Sequence, residues 1–382
     1  MSMRVAARAF CSARAAPKRA SQTVSKLAEI MGGEHAATTR STRLPAGDVL
    51  RLIDLAAART AIGHSAGEDG RLAPGSGCVT LSFDRVDLMV PILQGDLLQF
   101  NARMLSVGTS SMVVQVDGKK RDRHTRKWVP TSCSLVTFVA VGPDKRPTPV
   151  APLLNDLEGG EEDAESAARR RELANEWAQR QSAVRARARS GKLSAAVCDE
   201  PLNRAKQEKL RLKDTTVTLT KMWMPRNLNV NGSIFGGDLL AWMERGAHYC
   251  ASAFTRSAME NMVTLSMGRV FFYEPIFTTD LVELEAVCVY ATQHTVQVEV
   301  CVNVSTLGSS QSEEKRRSHR GHFTVLNLDE FGNKRPVLAG FDLDAADEVE
   351  LSLYEQGKER HRFFKEYDQD MMGQHHLHGS HN

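Results

Sequence analysis

Long apolar runs are missing from these 382 residues, and no stretch approaches the ~20 residues that a bilayer-spanning helix needs. Cysteines are few: seven, scattered, with no Cys-x-x-Cys spacing, which argues for reduced thiols in a core and against a disulfide framework or a zinc site. Neither a phosphate-cradling P-loop nor a nucleophile elbow of the Gly-x-Ser-x-Gly type is expected. Charge of one sign is also scarce once its position is considered. Residues 1–33 carry six basic groups (Arg4, Arg8, Arg14, Lys18, Arg19, Lys26) against one acid, Glu29. Subtracting that +5 from the net +3 leaves about −2 for the remainder, so bulk charge does not mark the body as a nucleic-acid binder.

What is present is ordinary globular composition, 42% hydrophobic and 25% charged, with length for two domains. The Arg-, Ala- and Ser-rich start is free of acids up to Glu29 and lacks the apolar core of a secretory signal. It reads as a mitochondrial transit peptide over residues 1–35, with a disordered basic arm as the alternative; in either case it is expected to lie outside the fold and to address the chain to the matrix.

The chain contains itself twice. Val79-Thr80-Leu81-Ser82, Arg85-Val86, Pro91-Ile92 and Asp96-Leu97 recur as Val263-Thr264-Leu265-Ser266, Arg269-Val270, Pro275-Ile276 and Asp280-Leu281. The offset is 184 throughout, and ten of the nineteen positions from 79 to 97 are identical, too many for coincidence. Upstream, Gly47 to Asp54 matches Gly237 to Glu244 at an offset of 190; downstream, Lys145-Arg146-Pro147 matches Lys334-Arg335-Pro336 at 189. The shifts place six extra residues in the first copy within 63–77 and five in the second around 309–317. Two units follow, 36–150 and 213–340, with a helical linker over 151–212 and a helical, then frayed, tail over 341–382. Each unit reads as one helix followed by alternating, β-rich segments, an α+β pattern. Residues 215–223 supply a leading strand for the second unit; the first unit shows no clear equivalent.

The stretch 229–254 organises the second copy. Apolar residues recur at Leu239, Leu240, Met243, Ala247, Cys250, Ala251 and Phe254, the period of a helix buried along one face. Gly236-Gly237 opens that helix, so free N–H groups and a partial positive charge point at whatever lies in front, with no side chain in the way. Asn229 fits either a site amide or the cap of a turn. Glu244 fits either a site acid or an i,i+4 partner of His248.

Asn229, Gly232, Phe235, Gly236, Gly237 and Glu244, in the pattern Asn-x-x-Gly-x-x-Phe-Gly-Gly followed by an acid, resemble the acyl-CoA thioesterases of the hotdog fold. With the duplication and the Arg-rich start, the likeness is to their mitochondrial double-hotdog members. The resemblance implies a tandem hotdog fold, each unit a long helix wrapped by a curved antiparallel sheet. It implies hydrolysis of acyl-CoA to free acid and CoA, without metal or redox cofactor, and association into homo-oligomers. It places sites where an acid on one helix faces the Asn-x-x-Gly loop of the other unit. By the offset of 190, Asp54 is the partner of Asn229, while Glu244 faces Thr39. One complete site is therefore expected, with Asp54 as general base on water, Asn229 as orienting amide and the Gly236 and Gly237 N–H groups on the developing oxyanion. Basic hairpins around 119–127 and 315–320 are candidates for the CoA phosphates. The alternative expectation is an acyl-CoA-binding or scaffold protein without catalysis.

Overall fold

The computed structural model describes residues 16–32, 43–67, 69–154, 160–306 and 315–378. In the first unit, strand β1 (Ser25–Ile30) precedes helix α1 (Ala46–Ser65), and strands β2 (Gly77–Phe83), β3 (Leu97–Val107), β4 (Ser111–Arg121) and β5 (Trp128–Val141) follow. Helix α2 (Gly160–Arg189) leads to the second unit: β6 (Val217–Lys221), helix α3 (Gly236–Thr255), β7 (Met262–Met267), β8 (Val270–Phe272), β9 (Asp280–Ala291), β10 (Thr295–Thr306) and β11 (Arg316–Asn327). Helix α4 (Glu348–His378) closes the described chain.

The periodicities of the sequence explain these elements. In α1, Val49, Leu50, Ile53, Ala56, Ala57 and Ala61 form one buried stripe; in α3 all seven apolar positions expected to face inward do so. Along β3 the buried residues Leu98, Phe100, Ala102 and Met104 alternate with less buried neighbours, and Val282, Leu284, Ala286 and Cys288 do the same along β9. Helix α3 ends at Arg256, whose φ of 52° is left-handed and cannot continue the helix.

The two units share one twelve-stranded sheet. Its main path runs β6-β9-β10-β11-β8-β2-β5-β4-β3-β1, and the join between units is the antiparallel pair β8–β2, with Val270 opposite Phe83 and Phe271 opposite Ser82. Val86–Asp87 adds a second crossing by pairing with Ser266 and Met267 of β7. The helices lie side by side at unusually short range. A Cβ on Gly47 would come within 2.7 Å of the Ala241 backbone, and one on Gly237 within 2.8 Å of the Arg51 backbone. These contacts are equivalent at the offset of 190, which is why both copies carry glycine there.

Two expectations need correction. Residues 1–15 and 33–35 of the expected leader lie outside the described residues, but Lys18 to Ile30 belongs to the fold. Ser25–Ile30 pairs in register with Leu97–Ala102 of β3 and is the leading strand that the sequence seemed to lack. The Lys18 ammonium donates to His64 O at 2.8 Å, capping the carbonyl end of α1. The expected frayed tail is also helical: α4 continues through Phe363, which is buried, to His378. It packs on α2, with Trp177 against Phe363 and Phe364 (ring centroids 5.4 and 5.8 Å) and Arg180 paired to Glu366 at 3.1 Å. The linker helix therefore docks on α4, and Arg85 of the first unit sits 4.0 Å over the Phe364 ring.

Candidate active site

Asp54 lies on the buried side of α1, 1% exposed, where the first turn of α3 runs into it. The Gly237 N–H donates to its Oδ2 at 2.7 Å, and the Thr80 hydroxyl of β2 donates to Oδ1 at 3.4 Å. A side chain at position 236 would displace its neighbours, because its Cβ would lie 2.9 Å from Asp54 Oδ2 and 3.0 Å from the Phe272 ring. The glycine pair thus serves the carboxylate as the free helix end expected from sequence, but with a different division of labour. The Gly237 N–H, expected to face an oxyanion, is taken by Asp54. The Gly236 N–H donates to no described group and is the first-turn donor left open.

Burial pushes the Asp54 carboxyl up from the ordinary carboxylate range to about 7. The Gly237 and Thr80 hydrogen bonds oppose that rise, and the nearby charge of Asp238 adds to it. Asp238 itself is occupied, accepting from Asn227 Nδ2 at 2.8 Å and pairing with Arg51 at 2.9 Å.

Glu244 occupies the equivalent place on α3, also 1% exposed. Thr264 of β7 donates to its Oε1 at 2.8 Å, and His248 Nε2 lies 3.0 Å from the same oxygen and 2.7 Å from the Thr264 hydroxyl. Burial acts to raise Glu244 as well. The charge and hydrogen bond of His248, then Thr264 and the Ala46 N–H, outweigh it and hold the group below the usual range. Thr39, the expected partner across this second site, lies outside the described residues.

Asn229 is placed differently from expectation. Its Oδ1 accepts from the Asn231 N–H at 2.8 Å and the Ser233 N–H at 3.3 Å, while its Nδ2 donates to Ser233 Oγ at 3.0 Å. No hydrogen bond joins it to Asp54. It shapes a tight turn through Gly232, whose φ of 78° is left-handed. The asparagine that crosses to the other unit is Asn231, whose Nδ2 donates to Cys78 O of β2 at 2.7 Å.

Thr80 and Thr264 went unassigned in the sequence, although both stand in the repeated Val-Thr-Leu-Ser phrase as the polar residue of a strand facing its helix. The expected absence of a nucleophile elbow needs correction, because Gly63-His64-Ser65-Ala66-Gly67 has its spacing. It lies at the end of α1 and not on a strand-to-helix turn; Ser65 meets the sulfurs of Met112 and Cys78 and His64 Nε2 meets Ala151 O, so no triad forms among the described residues. The basic hairpins are partly neutralised: Lys120 and Arg123 pair with Asp96, Lys315 with Glu283, and Arg320 with Glu299.

With this geometry in view, the family described as the thioesterase superfamily matches at residues 46–127 and 231–306, once in each unit. The chain is 31% identical over 116 residues to an uncharacterized acyl-CoA thioester hydrolase of Zymomonas mobilis, covering 30% of this chain and 72% of that protein. It is 26% identical over 307 residues to acyl-coenzyme A thioesterase 11 of Mus musculus, covering 78% of this chain but only 47% of that longer relative. It is 28% identical over 292 residues to a mitochondrial acyl-coenzyme A thioesterase 4 of Humulus lupulus, covering 71% of this chain and 52% of that one. Among solved structures, an acyl-CoA hydrolase variant of Staphylococcus aureus in complex with coenzyme A aligns at 27% identity and a TM-score of 0.37, over 44% of this chain and 96% of that one. The chain belongs to the thioesterase superfamily as a thioester hydrolase of the hotdog fold, with two hotdog units in tandem.

Proposed function

We propose that the protein hydrolyses acyl-CoA to free acid and CoA at one working site, where Asp54 of the first unit meets the Gly236-Gly237 helix end of the second. The observation that carries this reading is the state of Asp54: fully buried, held by an N–H from the other unit, and raised to about 7. A general base works best when its pKa lies near the operating pH, because it is then ionised often enough and still basic enough to take a proton from water. As water attacks the thioester carbon, its proton passes to Asp54. Negative charge gathers on the thioester oxygen, for which the open Gly236 N–H is the available donor, and the CoA thiolate leaves.

Glu244 does not share this role. Its carboxylate is held ionised and engaged by His248 and Thr264, so it is a weaker base and its oxygen is already spoken for. Asn229 contributes by shaping the turn that delivers Gly236 and Gly237. The mitochondrial address rests on the Arg-rich start, and a cleavable segment compatible with the fold would end before Lys18.

Release of free thiol from a panel of acyl-CoAs, acetyl to palmitoyl, tests the activity. Asp54→Ala should remove most of the rate; unchanged turnover in that variant would refute the assignment. A fluorescent protein fused after residues 1–17 should reach mitochondria, and a diffuse signal would count against the address.

A further inference from the structure

The proposed site is assembled from two units, so something must hold the second unit's loop against the first. The loop is tied to itself: Asn229 accepts from the Asn231 and Ser233 backbones, and Asn229 N–H donates to Ser233 O at 2.7 Å. Its side-chain hydrogen bond to the first unit comes from Asn231, whose Nδ2 donates to Cys78 O at 2.7 Å. The Asn231 Oδ1 is buried without a partner among the described residues, so the anchor depends on the amide's donor half. Gly77, next in the chain to Cys78, leaves the room for this. A Cβ there would lie 1.6 Å from Asn231 Oδ1 and 2.6 Å from its Cγ. The same strand then runs on to Thr80, which donates to Asp54, and the loop runs on to Gly237, which does likewise.

We infer that Asn231 is a positioning residue for thioester hydrolysis, a clamp that seats the 229–237 loop on the Gly77–Cys78 backbone and thereby sets the gap between Asp54 and the Gly236-Gly237 turn. This rests on the reading of Asp54 as base. The clamp acts on alignment and not on uptake of the substrate. A displacement of about 1 Å in such a gap is worth on the order of 10²-fold in rate.

The test is a cycle of Asn231→Ala, Gly77→Ala and the double variant, with kcat, KM and the pH profile measured on one acyl-CoA. Each single variant should lose about 10- to 100-fold in kcat with little change in KM. Gly77→Ala should cost nothing further in the Asn231→Ala background, because the clash it creates is with the side chain already removed. The acid limb of the profile should move down in all three, since water reaching Asp54 relieves the burial that raises it most. Hydrogen exchange of the 229–237 amides, which needs no turnover, should quicken in each variant while the melting temperature stays near that of the parent. Loss of rate that multiplies in the double variant, or a parent-like kcat with unchanged exchange, overturns the clamp. A parent enzyme that releases no thiol, with exchange still quickened, would sink the hydrolytic reading and leave the clamp standing.

Discussion

Asp54 and Glu244 sit at matching positions of two related helices, equally buried, each meeting a threonine hydroxyl and an N–H from the facing helix. Burial is the largest influence on both, yet one carboxyl is pushed up and the other is held down. The difference is a neighbour one helical turn on: His248 beside Glu244, where the offset of 190 puts Ala58 beside Asp54. In a dry site one ionisable partner decides whether an acid is poised to exchange a proton or fixed in its charged form. Shared geometry therefore does not imply shared chemistry.

The most severe way to break the comparison is to remove each acid in turn. Asp54→Ala should reduce kcat/KM by about 10²- to 10⁴-fold, whereas Glu244→Gln should leave it within a few-fold. Thiol-release kinetics decide this, and equal losses would show that both sites work.

Exchanging the neighbours comes next. Ala58→His should lower the Asp54 pKa, moving the acid limb of the rate profile down and weakening the base at neutral pH. An acid limb that does not move would mean that the titrating group in the rate is not Asp54. His248→Ala should leave Glu244 buried without its charge partner, so its pKa should rise and folding stability at pH 7 should fall by about 1–3 kcal/mol.

A smaller effect separates the two acids through pH alone. Asp54 is raised in the folded state, so the native protein holds that proton more tightly and this group's contribution to stability falls as pH rises from about 4 to about 7. Glu244 is depressed, so its contribution is present above the ordinary carboxylate range and is lost as pH falls below it. Asp54→Asn should accordingly raise the stability at pH 8 by on the order of 2 kcal/mol while abolishing turnover. A melting temperature at pH 8 lower than the parent's would contradict the burial account.

The smallest comparison concerns the leading strands. Truncation before Ser25 removes the Lys18 cap on α1 and should cost about 1 kcal/mol. Truncation through Ile30 also bares the edge of β3 and should favour aggregation. Thermal melts and light scattering of the two shortened proteins read this out.

Much of this was legible beforehand because repetition and periodicity are properties of the chain itself. The offset of 190 put Asp54 and Glu244 in register, and the glycine pair marked the helix end that meets Asp54. What was hidden depended on contacts between distant residues. Basic composition disguised Ser25–Ile30 as a leader, although an edge strand accepts such residues readily. Asn229 and Asn231 stand two apart with the same side chain, and only the fold shows which one is spent within the turn and which reaches across. Thr80 and Thr264 looked like strand formers until helices were laid over them.

Because the β8–β2 pairing and the continuous backbone make both units parts of one molecule, every substitution falls on a single half. An assembly of two identical chains would receive a histidine beside both acids or beside neither. One continuous chain is free of that constraint: on the proposed reading, one carboxyl serves as base while its twin stays bonded to His248 and Thr264, a division that symmetry would have forbidden.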